Sequence, residues 1–194
     1  MGRNDRAAQG KLALANGYIN LIRADSEQGD ARSASTRAAQ ENFQEAVVLI
    51  PRSPDPHLGL ARIYVYSVKN IGKAVAELHE AAGLGFQAGP RELEQEADGY
   101  RFRAGAEMAE ARQAHGASRP TEERYLRLAQ RDFERARQLY EPILGFSNVS
   151  LALRQVDDDD RARQELNDAL AKPLASKPPA KHPRKLIRRA TRWQ

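Results

Sequence analysis

The chain has 194 residues, 41% of them hydrophobic and 29% charged, with a formal net charge of +5 and no cysteine. This composition suits a well-solvated globular chain, and the missing thiols exclude disulfides, thiolate metal sites and cysteine nucleophiles. No stretch approaches the ~18 apolar residues of a membrane span, and the opening MGRNDRAAQG lacks the apolar core of a signal peptide. A cytoplasmic location is expected if the chain is complete, and a periplasmic or exported one if a leader has been removed.

Helix formers dominate throughout, and no segment alternates with period two, so helices are expected and strands are not. Residues 9–24 read as a first helix with Leu14, Ala15 and Tyr18 on it, and 26–32 as a polar break around Gly29. A second helix ends at Ile50, before Pro51 and Pro54. Residues 55–67 form a third, with Asp55 as its expected cap and Pro56 in its first turn. After a turn at 70–72, a fourth carries Ala74, Leu78 and Ala81 and ends at Gly83 or Gly85. A fifth carries Leu93, Ala97 and Tyr100 and continues to about Gln113, before a break at 115–120. A sixth carries Ala129, Phe133 and Ala136 and stops near Tyr140, before Pro142. A short seventh is expected over 147–155 and an eighth over 161–171, with Ala162, Leu166 and Ala169 on it.

One pattern recurs along this series. Ala39, Phe43 and Ala46 follow a small-x3-large-x2-small spacing, repeated at Ala74–Leu78–Ala81, Ala129–Phe133–Ala136 and Ala162–Leu166–Ala169. Spacings of four and three lie on one face of a 3.6-residue helix. The small residues let a neighbouring helix approach, and the large one fills the space between the axes. In residues 39–64 this pattern, Pro51, and then His57, Leu60, Ala61 and Tyr64 follow one another in the order of the tetratricopeptide repeat, which the chain resembles. His57 stands where that family has Trp, and Ala61 where it has Gly. The resemblance implies an all-α, right-handed superhelix, an α-solenoid of about four helical hairpins over residues 1–171. The spans from Tyr18 to Ala39 and from Tyr100 to Ala129 are long for this family. The first and third hairpins are therefore expected to have longer helices or protruding loops.

Motifs that carry chemistry are sparse. The four histidines, His57, His79, His115 and His182, show no metal-binding spacing, and no H-E-x-x-H, G-x-S-x-G or phosphate-loop pattern occurs. Asp157 to Asp160 lack the central Gly and terminal Glu of a calcium loop. They are expected to cap the eighth helix and to favour its positive end. No cofactor and no enzyme activity are expected.

The resemblance implies a concave groove lined by the first helix of each hairpin. Registering on the tyrosines assigns to it Leu12, Asn16, Ile19 and Asn20, then Leu58, Arg62, Val65 and Tyr66, then Glu94, Asp98, Arg101 and Phe102. The groove's binding set is Asn16, Asn20, Arg62, Tyr66, Asp98, Arg101 and Phe102. This mixture of amide, charged and aromatic groups fits an extended peptide or protein segment. The function so implied is a non-catalytic interaction scaffold. The alternatives are an accessory subunit of an enzyme, or attachment to a polyanion through the tail.

Residues 172–194 have a different chemistry. They hold four prolines and eight of the 31 basic residues but none of the 26 acidic ones, which leaves the rest of the chain mildly acidic. A disordered, Pro-rich tail is expected there, with Lys181, Arg184, Lys185, Arg188, Arg189 and Arg192 available to nucleic acid or anionic lipid in weak, salt-labile contact.

Overall fold

A computed structural model describes residues 3–146 and 149–171. Among these the protein is all-α: α1 (Arg3–Ser26), α2 (Gly29–Leu49), α3 (Asp55–Tyr66), α4 (Ile71–Gly83), α5 (Pro90–Ala114), α6 (Arg119–Tyr140) and α7 (Val149–Ala171). A 3-10 turn at Glu141–Ile143, built on Pro142, follows α6. The residues of the basic tail, including its six candidate polyanion contacts, lie outside the described residues.

Local chemistry sets the boundaries. α2 begins at Gly29, whose φ of 58° suits a residue without a side chain and reverses the chain within two residues of the end of α1. The sequence reading of 26–32 as a loop was therefore too long: α2 runs through it, with Ser33 Oγ bonded back to the Gly29 carbonyl. Pro54, rather than Asp55, occupies the N-cap of α3, and Asp55 is the acidic residue of its first turn. At α4 the Asn70 side chain accepts from the Lys73 N–H at 3.1 Å. At α5 the Glu92 carboxylate accepts from the Gly89 N–H at 3.0 Å, with Pro90 at the first helical position.

The helices pack as neighbours in chain order: α1 with α2, α3 with α4, α5 with α6, and α7 on α6. Each hairpin's second helix also meets the next hairpin's first, and α1, α3, α5 and α7 meet in succession. Two core clusters result. One gathers Leu21, Phe43, Leu60, Ile63, Tyr64 and Ile71, and the other Met108, Leu126, Phe133, Tyr140, Val149 and Val156, with Tyr100 packed against both. Of the residues expected inside, Ala39, Phe43, Ala46, Ala81, Ala129 and Phe133 have no exposed surface; Tyr64 is buried and Leu78 half-buried.

The hairpins are unequal. α1 and α2 have 24 and 21 residues and α5 and α6 have 25 and 22, whereas α3 and α4 have only 12 and 13. The long spans in the first and third hairpins are thus spent on extra helical turns. The expected fourth hairpin is absent among the described residues. Residues 149–171 form one unbroken helix, because no Pro or Gly interrupts them and the four aspartates are held inside it. Asp158 pairs with Arg161, Asp160 with Arg163 and Arg137, and Asp157 with Arg137. Asp157–Asp160 are therefore interior helix residues, not caps. The buried stripe of α7 is Val149, Val156 and Arg163; of the Ala162–Leu166–Ala169 copy, Leu166 packs against the second cluster, Ala162 is half-buried and Ala169 is exposed.

Candidate functional site

The α3–α4 turn of the short middle hairpin meets α2 of one long neighbour and α5 of the other. Lys69 in that turn has a φ of 58°, the left-handed region, and the Val68 and Asn70 N–H groups reach back to the Ile63 and Tyr64 carbonyls. This tight reversal presents Lys69 between two flanking elements. On one side α2 brings Arg32, Ser33 and Thr36 into a shared cavity of about 540 Å³ with Tyr66, Ser67 and Lys69. On the other, the Lys69 ammonium sits 3.7 Å from the centre of the Phe102 ring of α5.

A second cavity of about 520 Å³ continues from the first, lined by Leu21 and Asp25 of α1, Arg32, Arg62, Tyr66 and Ser67, Lys69, and Arg91, Glu94 and Gln95 of α5. A narrower one of about 170 Å³ follows, where Tyr18 and Leu58 join Arg62, Arg91 and Gln95. The shared residues make one open, polar cleft running across α1, α3 and α5. Arg62 lies at its centre, 3.7 Å from Asp25 and 5.5 Å from the Tyr66 ring centre.

The wall behind Tyr66 is tied together by Asp98. Its carboxylate accepts from the Tyr66 hydroxyl at 2.9 Å, the Tyr140 hydroxyl at 2.6 Å and the Arg101 guanidinium at 3.1 Å. Burial pushes both phenols well above their ordinary range, and the Asp98 charge adds to the effect, so both remain donors. Burial also raises Glu94, with Asp98 as the second cause. It lowers Lys69, helped by repulsion from Arg101. Among the described residues no carboxylate comes within ion-pair distance of Arg32, Lys69 or Arg91. Gln95, only 6% exposed, has a carboxamide nitrogen with no partner.

The structure brings together five of the seven groove residues expected from the sequence: Arg62 and Tyr66 line the cleft directly, while Asp98, Arg101 and Phe102 support its wall. Asn16 and Asn20 are half-buried on α1, which instead contributes Leu21, Asp25 and Tyr18 to the cleft. The registered neighbour Val65 is 1% exposed and points into the core, and Leu12 and Ile19 lie on open surface. Arg32, Lys69, Arg91 and Gln95 were not anticipated. Arg32 lay in the misread break, and no spacing in the sequence places a turn lysine beside it.

The fold and cleft define an all-α protein of packed helical hairpins with an open polar cleft. No family model, curated protein or solved structure matches the chain. No helix among the described residues is long and apolar enough to cross a membrane.

Proposed function

We propose that this chain is a non-catalytic interaction scaffold, a TPR-like solenoid that holds a peptide or protein segment along its cleft. One observation carries the reading: the first helices of three successive hairpins, α1, α3 and α5, contribute to one continuous open cleft. A solenoid of stacked hairpins produces such a surface by repetition. The neighbour-to-neighbour packing and the recurring Ala-x3-large-x2-Ala stripe agree with it. The lining suits an extended chain, since Gln95 and Tyr66 offer amide and aromatic surface and Arg62 a forked donor.

The test is capture of binding partners from native lysate by the wild-type chain and by an Arg62→Ala/Tyr66→Ala variant. Loss of specific partners from the variant supports the cleft as the binding surface; an unchanged bound set overturns it. The charge of residues 172–194 favours a second, independent activity, weak attachment to a polyanion through the tail.

A further inference from the structure

The cleft has a chemical bias that a general peptide groove does not need. The cavity that α1, α3 and α5 share is lined by four cations, Arg32, Arg62, Lys69 and Arg91, against two carboxylates, Asp25 and Glu94. The chain outside the tail is mildly acidic, so this excess runs against its surroundings. Three of the four cations have no carboxylate within ion-pair distance among the described residues, Lys69 resting on the Phe102 ring instead, and the fourth, Arg62, meets Asp25 only at 3.7 Å. Gln95 adds a buried, unpartnered donor facing the same space. Arg32, Lys69 and Arg91 are exposed, so solvent satisfies them, but a buried donor without an acceptor is costly, and Gln95 sits among cations that line the same cavity. Together they point to a group rich in acceptor atoms and negatively charged.

We infer that the cavity shared by Arg32, Lys69, Arg62 and Gln95 is an oxyanion seat that takes the carboxylate side chain of an acidic segment in a partner protein. The inference rests on the scaffold reading above and names the partner chemistry. The seat exists because the hairpins are unequal. The extra turns of α2 bring Arg32 into one cavity with the α3–α4 turn, where Lys69 has its left-handed backbone and rests its ammonium on the Phe102 ring. Asp25, 3.7 Å from Arg62, and Glu94 line the same cavity and oppose a dense polyanion, whose repeated phosphates would meet them, more than a single carboxylate. The basic tail is excluded as an occupant by its own charge.

The test uses the full chain, isotope-labelled, titrated at physiological ionic strength with a short Glu/Ala peptide, its Lys/Ala counterpart and a single-stranded oligonucleotide. The expected result is perturbation by the Glu/Ala peptide of backbone amides at 32–36 and 66–69. Arg32→Ala/Lys69→Ala should weaken that binding at least about tenfold. Arg112→Ala/Arg127→Ala, which removes the same charge from exposed positions on α5 and α6, should leave it unchanged. Arg32→Glu should shift preference towards the Lys/Ala peptide, and circular dichroism checks that every variant keeps its helicity. The inference is overturned by shifts confined to 172–194, by equal affinity in the Arg32→Ala/Lys69→Ala variant, by equal binding of the Lys/Ala peptide, or by stronger perturbation of the same amides by the oligonucleotide. Should the acidic probe fail while lysate capture still depends on Arg62 and Tyr66, the cleft remains a binding surface and only its acidic selectivity falls.

Discussion

At the scale of single residues, the first cluster is organised by a ring laid on bare backbone. A β-carbon at Gly59 would stand 2.6 Å from the Phe43 ring, as would one at Gly17. Gly59→Ala should therefore cost about 1–3 kcal/mol through overpacking, despite alanine's better helix propensity. Gly105, in α5, has open space around its α-carbon, and Gly105→Ala should stabilise by about 0.5–1 kcal/mol. Urea unfolding of the two variants checks both signs. A different residue sets a pH dependence. Burial, with the Asp132 charge as the second cause, raises the Glu107 carboxyl from 4.5 to about 7. Between these values the folded state keeps a proton that the unfolded state has released. Stability thus falls as pH rises through that window, and the full cost is present above pH 7. Glu107→Gln should exceed the wild type by about 1 kcal/mol at pH 8, allowing for solvent screening, with the gap closing towards pH 4.5. Denaturation midpoints measured across that range test it. Ala39, Phe43, Ala46, Ala129 and Phe133 were legible in the sequence because helical periodicity and side-chain volume together determine burial. Arg32 and Lys69 were not, because their proximity depends on how far α2 extends past a turn 37 residues away in the chain.

At the scale of elements, the commonest misreading was of length. Helix existence follows from periodicity, but polar residues resemble breaks where tertiary packing continues the helix. In α2 that concealed one wall of the cleft. In α7 it split one helix into two, because four consecutive aspartates resemble a cap before the next helix. Asp158 and Asp160 find arginines three residues along the continuous helix, and the Arg137 partner of Asp157 and Asp160 becomes visible only once α6 and α7 are packed together. The difference can be tested directly. Asp158 is exposed and interior to α7, so Asp158→Pro should remove a helix hydrogen bond and cost about 3 kcal/mol, with a measurable loss of helicity. Asp158→Ala should change stability by less than about 0.5 kcal/mol. If 157–160 instead formed the start of a separate helix, proline would be accepted in its first turn and the two variants would unfold alike.

At the scale of the whole molecule, charge is segregated between a mildly acidic helical body and a basic terminal stretch. Deleting 172–194 should abolish retention on heparin at low salt and leave helicity and partner capture through the cleft unchanged. Equal retention of the shortened chain would place the polyanion surface on the helices instead. The body itself is divided in another way. The buried residues of one core cluster run from Leu21 to Ala74 and those of the other from Ala97 to Val156, with no interleaving along the chain. Contacts are therefore made mostly between segments close in sequence, a topology that favours rapid folding. During synthesis the N-terminal cluster has all of its fully buried residues before translation reaches those of the other. The ribosome thus delivers the protein as two successive folding problems, each much shorter than the finished chain, and the Tyr100 ring that touches both arrives only after every buried residue of the first.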